Sequence, residues 1–293
     1  VPNARGKAID TTFLSLNRIP RYQNIHRDYI AHVIRWSYVL KYLRAQRRHQ
    51  TFHVLDVGCG REAPLARTLF SNMMTHTTGS YTGVDYGPVE RPDSMPVSDH
   101  NFKTIFHAHA DFVKVTPKSL RPSYDVIVCF EMLEHVEPSH TFAVIRRMRS
   151  LCGPGTKVFL STPCFDPKIG AAANHVNEMS YVALHTLLPV LGLQPVATFG
   201  TFASQRDYKD VMSDAERAVF ASLSEYFLPE MLSCIFAPLF PAHSRNVIWE
   251  LSPITPSVLA KNDLALLLRP DMHMSSSPLW ARDIKKLAKE LTK

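Results

Sequence analysis

The sequence predicts an α/β fold, with a mostly parallel sheet and helices on both of its faces. Three features point to it. Short apolar runs alternate with stretches of helical periodicity from Thr51 onward. The first run ends in Gly58-Cys59-Gly60, glycines that let the backbone turn sharply and approach a ligand. The next two runs each end on an acid, Asp85 and Asp111. In a parallel sheet ligands bind at the carboxyl ends of the strands, so these are the positions to interrogate.

Taken in order, residues 1–20 are polar and irregular. From about Ile25 to Arg48, apolar residues recur at helical spacing (Ile30, Val33, Ile34, Val39, Leu40, Leu43), and basic residues cover the rest. Strands are expected at Phe52–Val57, Tyr81–Val84, Ile105–Ala110, Tyr124–Phe130 and Lys157–Ser161, the last after a Gly153-Pro154-Gly155 turn. Two more, Gln194–Phe199 and Asn246–Leu251, flank a helical insert at about Tyr208–Phe236. Other helices are expected at Ala63–Met74, Ser139–Leu151, Ser180–Leu191 and Leu279–Leu291. The chain thus divides into a basic helical extension (1–50), a central α/β domain (51–252, insert about 207–240) and a tail (253–293). Ser275–Pro278 reads as a polar linker before the last helix.

Composition narrows the function classes. With 45% hydrophobic and 20% charged residues over 293 positions, the chain is of ordinary globular type. The apolar runs are too short to cross a bilayer, no secretory core opens the chain, and five scattered cysteines make no C-x-x-C pair. A reducing, cytoplasmic setting is expected. The net charge of +7 is unevenly placed: ten basic residues against Asp10 and Asp28 give +8 in the first fifty positions, and the remainder carries −1.

The strand ends form a series: V-L-D-V-G-C-G, then G-V-D-Y, A-D-F, Y-D-V-I-V-C-F-E-M-L-E-H-V and G-T-K-V-F-L-S-T-P. In order and spacing, over about Thr51–Leu251, this resembles the class I S-adenosylmethionine-dependent methyltransferases. The resemblance implies a seven-stranded Rossmann-like sheet with a reversed last hairpin. It implies Asp56, Gly58 and Gly60 around the methionine part of S-adenosylmethionine, Asp85 with Tyr86 at the ribose, Asp111 with Phe112 at the adenine, and Phe130 beside them. The family's usual third glycine is replaced by Glu62, so that side chain is expected to turn away from the cofactor. The segment I-H-R-D-Y-I-A-H and the tight G-V-D-Y-G-P also resemble methyltransferases encoded by bacteriophages, which would place the protein in a host cytoplasm.

On the acceptor side, Glu131-Met132-Leu133-Glu134-His135 follows the fourth strand and Asn174-His175-Val176-Asn177-Glu178 follows the fifth. Two readings stand. In the first, Glu131 and His135 orient the cofactor or serve as base, and His175, the third catalytic candidate, with Glu178 caps the next helix or fixes the loop over the cofactor. In the second, Glu131, Glu134, His135 and His175 resemble the metal ligands of Hen-type small-RNA 2′-O-methyltransferases. They would hold Mg²⁺ or Mn²⁺ to polarise an acceptor hydroxyl. Cys129 and Cys164 end strands and are expected to pack as small hydrophobes.

The acceptor itself stays open between a nucleic acid or nucleotide and a small molecule, with a non-catalytic cofactor-binding protein as a third reading. Arg27, Arg35, Lys41, Arg44, Arg47 and Arg48 interleave with Tyr22, Tyr29, Trp36 and Tyr38. That pattern suits either an anionic partner such as nucleic acid, or a helix whose aromatic side packs beside the cleft. Thr201–Arg206 is a further candidate for acceptor contacts, and the insert is expected to be a helix pair packed on the sheet, with a lid over the acceptor or a dimer surface as the other reading.

Overall fold

The computed structural model describes residues 27–46, 51–73, 78–90, 102–202, 211–227, 229–256 and 261–292. Residues 1–26, Arg47, Arg48 and 203–206, which carry part of the predicted basic surface and strand-end contacts, lie outside the described residues, as do the side chains of Arg27 and Tyr29.

The strands are β1 (Thr51–Val57), β2 (Thr78–Val84), β3 (Phe102–His107), β4 (Tyr124–Phe130), β5 (Cys152–Pro163), β6 (Leu193–Phe202) and β7 (Asn246–Pro253). They form one sheet in the order β3-β2-β1-β4-β5-β7-β6. The first five pair parallel, and β7 runs antiparallel between β5 and β6. The chain order reverses between β1 and β4, so their carboxyl ends frame the crevice where such sheets bind ligands.

The helices are α1 (Arg27–Ala45), α2 (Pro64–Met73), α3 (Pro138–Ser150), α4 (Tyr181–Val190), α5 (Asp214–Leu223), α6 (Pro229–Phe236), α7 (Lys261–Leu267) and α8 (Trp280–Leu291). None of them is long and apolar enough to cross a membrane. Strand alternation sorts the core onto two faces. Val126 and Val128 of β4, with Val54 and Phe159, pack with α1 and α2. Ile127 and Cys129, with Leu55, Val158 and Trp249, pack against α3, α4 and α8. Both strand-end cysteines pack as expected, Cys129 0% and Cys164 6% exposed. Burial pushes the Cys164 thiol up to about 12.

Several expectations shift. The third strand lies three residues earlier than Ile105–Ala110. Its partner β2 ends at Val84, paired with His107, and the backbone then turns through His109 at φ +52°. Gly153-Pro154-Gly155 is an irregularity inside β5, where pairing jumps from Tyr124↔Cys152 to Val126↔Lys157. Helix α7 was not predicted. Ser275–Pro278 is no loose linker: Ser277 is buried, and the Ser276 backbone N–H donates to Glu178 O at 2.9 Å. In the insert, Phe220, Leu232 and Phe236 form a small core of their own, while Val219, Phe227 and Ile235 stay exposed.

Candidate active site

The turn after β1 places Gly58 at φ +75° and Gly60 at φ +73°, a region that favours glycine. A Cβ at Gly58 would stand 2.8 Å from Met132 Cβ. A Cβ at Gly60 would meet nothing nearer than Pro64 Cδ at 3.9 Å, so bare backbone lines the cleft there. Asp85 ties this turn to its own loop: Oδ2 accepts from Gly60 N–H at 2.8 Å and Oδ1 from Gly87 N–H at 2.7 Å. Glu62 turns away as expected and pairs with Arg67 at 3.3 Å.

Beside the turn lies a cleft of about 760 Å³ bounded by Gly58, Gly60, Asp85, Asp111, Phe112 and Met132. Tyr86 stands 80% exposed in its lining. Asp111 Oδ1 accepts from Val113 N–H at 3.0 Å and lies 3.3 Å from His140 Nε2, while Lys114 Nζ is 3.2 Å from Oδ2. Phe112 is buried beneath. The volume falls within the usual range for cofactor pockets, and Asp85 and Asp111 line the cleft just beyond β2 and β3.

A smaller hollow of about 260 Å³ adjoins it and shares Gly58, Gly60, Glu131 and His135. Asp56 and Phe130 line this hollow and not the larger cleft. Asp56 is 4% exposed, and Tyr81 Oη donates to it at 2.5 Å. Burial raises its carboxyl to about 7 despite that hydrogen bond, and the neighbouring Asp85 charge adds to the rise. From α1 come His32 and Trp36, stacked with ring centroids 5.6 Å apart and planes at 19°. Burial pushes the His32 imidazole down to about 3, assisted by Arg35. It is therefore neutral, with Arg35 Nη1 donating to its Nδ1 at 2.9 Å.

Glu131 sits at φ +54° where β4 ends. Its Oε1 accepts from Ser161 Oγ and its Oε2 from Asn246 Nδ2, both at 2.8 Å, and Arg35 Nη2 lies 3.3 Å from Oε2. Burial alone would raise its pKa, but the Arg35 charge and these hydrogen bonds outweigh it and hold it low. Glu131 thus departs from the expectation of a base, because it is a fixed anion whose oxygens are already engaged. Glu134, 1% exposed, accepts from Thr162 Oγ1 at 3.0 Å. Burial and the Glu131 charge raise its pKa.

The two histidines come together, their ring centroids 4.8 Å apart. His135 Nδ1 faces the Asn174 carbonyl at 3.2 Å, so Nδ1 carries the proton and Nε2 the lone pair. Burial lowers its pKa, only partly opposed by that carbonyl. His175 Nδ1 lies 2.6 Å from Glu178 Oε1. Glu178 is fully buried and is backed by Arg245 Nη2, 2.5 Å from Oε2. Burial would raise the Glu178 carboxyl, but His175 and Arg245 hold it below its usual range. His175 Nε2 is left as the second lone pair. Glu178 does not cap α4, since Ser180 does, through its side chain. Among the described residues, donor atoms of Glu134, His135 and His175 all lie within 4.8 Å of one another. Glu131 stands outside that group.

A family model for the methyltransferase domain matches residues 27–218 of this chain. The chain belongs to the class I S-adenosylmethionine-dependent methyltransferases. The match begins at the first residue of α1, inside the stretch read from sequence as an extension. The ubiquinone biosynthesis O-methyltransferase of Xanthomonas axonopodis pv. citri (strain 306) is 31% identical over 206 residues, 68% of this chain and 72% of that protein. The protein of the same name from Xanthomonas campestris pv. campestris (strain B100) is 30% identical over 206 residues, with the same 68% and 72% shares. Among solved structures, magnesium protoporphyrin IX methyltransferase from Synechocystis PCC 6803 with bound SAH is similar at a TM-score of 0.47 and 14% identity, covering 84% of this chain and 98% of that one.

Sequence reasoning did not assign His32, His140, Ser161, Asn246 or Arg245 to this methyltransferase's site, whereas Trp36 lies in the hollow's lining, on a helix whose aromatic side packs beside the cleft, one of the two readings of that segment. The strand-end rule pointed to Ser161 at the end of β5. The basic helix hid His32, and Arg245 and Asn246 lie where the chain enters β7, a strand antiparallel to β5, so the strand-end rule did not point to them. Arg35 is 2% exposed, Trp36 is buried, and Tyr38 and Tyr42 pack on Phe159. Trp36, Tyr38 and Tyr42 therefore serve the core and the hollow.

Proposed function

We propose that this chain methylates a hydroxyl group on a small, flat, unsaturated acceptor. The observation that carries the reading is the pair of imidazoles, His135 and His175, each with Nδ1 engaged and Nε2 left as a lone pair, in a hollow that opens onto the cofactor cleft. The stacked, neutral His32–Trp36 wall suits a planar ring. The relatives named as O-methyltransferases of ubiquinone biosynthesis support a hydroxyl acceptor.

S-adenosylmethionine, bound in the cleft, supplies a methyl group on a positively charged sulfur. His175 Nε2 takes the proton that the acceptor hydroxyl gives up, and ionised Glu178 stabilises the resulting imidazolium. His135 accepts a hydrogen bond from the acceptor and orients it. The α1 wall excludes water and aligns the acceptor oxygen with the methyl group, where most of the rate gain lies.

A second reading rests on the cluster of Glu134, His135 and His175. A carboxylate and two imidazoles suit a divalent cation such as Mn²⁺ better than Mg²⁺. The ion would polarise the acceptor hydroxyl and hold Glu134 ionised. Glu131 would stay with Arg35.

The test is methyl-label transfer into catechols and phenols, and into RNA, DNA and nucleotide pools, with and without chelator. The proposal expects label in the small ring compounds, and a kcat about 10²- to 10⁴-fold lower in His175→Ala. Label confined to the nucleic-acid pools overturns it and restores the meaning first suggested by the basic N-terminus. Loss of transfer on chelation, restored by Mn²⁺, selects the metal reading.

A further inference from the structure

A third hollow, of about 420 Å³, lies beyond the end of β5, against the first turn of α4 and the residues that enter β7. None of its lining residues lines the cofactor cleft or the acceptor hollow. Four apolar side chains exposed to solvent line it: Ile169 (50% exposed), Val182 (37%), Val211 (41%) and Met272 (37%). Lys168 joins them and makes no ion pair among the described residues. Asp166, the one carboxylate in the lining among the described residues, accepts from the Lys168 backbone N–H at 2.8 Å. Arg245, its side chain 13% exposed, also lines the hollow. Its Nη1 donates to Cys164 O, and its Nη2 contacts Glu178.

We propose that this hollow binds a small anionic amphiphile, a carboxylate on a short apolar body. The carboxylate would lie between Lys168 and Arg245, and the body against Ile169, Val182 and Met272. A neutral apolar ligand would leave Lys168 without a counter-ion, and a cationic one would be repelled. The site also reaches the acceptor hollow. Arg245 holds Glu178, which holds His175, so a bound carboxylate shares the guanidinium with Glu178 and alters the setting of His175. This coupling rests on the role given to His175 above, whereas the binding itself does not.

The probe is octanoate, titrated calorimetrically into the full chain, with octanol as its uncharged counterpart. Val182→Asp places a like charge at the hollow in the first turn of α4, where an acid suits the helix. S-adenosylhomocysteine binding serves as the check on folding. Octanoate is expected to bind saturably and at least about tenfold more tightly than octanol. Val182→Asp should weaken it by a similar factor, and Lys168→Ala should also weaken it, with S-adenosylhomocysteine binding intact in both variants. No saturable binding, equal affinity for octanol, or indifference to Val182→Asp overturns the site. In nitrogen-labelled protein, the His175 ring signal, identified by its loss in His175→Gln, is expected to shift on saturation. An unmoved signal overturns the coupling and leaves the binding site standing.

Discussion

Arg35 Nη2 and Glu131 Oε2 meet 3.3 Å apart, joining α1 to the end of β4 at the edge of the acceptor hollow. Arg35 is 2% exposed, so the pair is largely shielded from water. Removing one partner of such a pair leaves an uncompensated buried charge and costs about 3–5 kcal/mol. Arg35→Met is therefore expected to lose about 3 kcal/mol in urea unfolding, and Arg35→Met with Glu131→Gln to regain at least half of it. A single variant within about 0.5 kcal/mol of wild type would show that water reaches the pair after all.

Asp56 gives the protein a pH dependence of predictable sign. Its carboxyl is raised to about 7 in the fold, chiefly by burial, against about 3.9 in an unfolded chain. Between those values the folded state keeps a proton that the unfolded state has released, so stability falls as pH rises through this window. The slope reaches at most about 1.4 kcal/mol per pH unit for one group. Glu134, also raised by burial and by the Glu131 charge, acts in the same direction. Glu131, held low, contributes stability above the usual glutamate range that is lost as the medium turns acid. Asp56→Asn keeps an acceptor for Tyr81 and should flatten the decline between about pH 4 and 7. Melting curves across that range check it, and a decline as steep as wild type counts against Asp56 as the source.

The sheet was legible because its signals are local. Alternation within Tyr124–Phe130, the glycines at Gly58 and Gly60, and the acids ending β2 and preceding Phe112 all lie within a few residues of what they determine. The third strand slipped because its end is set by its partner: β2 stops at Val84, and nothing in Ile105–Ala110 itself says so. Seven residues, Lys261–Leu267, are too few to display a helical period. The acceptor side was only half legible. His135 and His175 follow strands and stood out. His32 and Arg35 come from a helix far earlier in the chain, where a basic run suits an anionic partner as well as it suits a helix beside the cleft. Only the fold shows that Arg35 turns inward to Glu131.

Gly58 and Gly60 share a left-handed backbone but should answer differently to substitution. Each alanine bears the backbone cost of a positive φ, about 1–2 kcal/mol. Gly58→Ala also drives a methyl to 2.8 Å from Met132 Cβ, whereas at Gly60 the nearest atom lies at 3.9 Å. Gly58→Ala should therefore lose more stability. Gly60→Ala should lose mainly affinity for S-adenosylhomocysteine, because its methyl occupies cleft space. Parallel unfolding and calorimetry separate the two, and equal losses of stability would contradict the contact with Met132.

Ser276, in a stretch that reads as a linker, holds the backbone of Glu178, whose carboxylate stands behind His175. Its Oγ accepts from the Glu178 backbone N–H at 2.9 Å, and its own N–H donates to Glu178 O at 2.9 Å. Next to it, Ser275 Oγ donates to Asn177 Oδ1 at 2.8 Å, and Asn177 Nδ2 donates to Thr141 Oγ1 at 3.0 Å. The tail thereby clamps both residues before Met179. Ser276→Ala strips the acceptor from a buried N–H, a change worth about 1–3 kcal/mol. If Glu178 positions His175, a small displacement also harms alignment, and kcat should fall by about tenfold or more. The affinity for S-adenosylhomocysteine in the cleft, which neither Ser276 nor Glu178 lines, should stay within about twofold, well under the 1.4 kcal/mol that a tenfold change represents. Ser276→Thr retains the hydroxyl and should recover most of the rate. Full activity in Ser276→Ala at unchanged stability would mean that the His175–Glu178 pair holds its position without the tail.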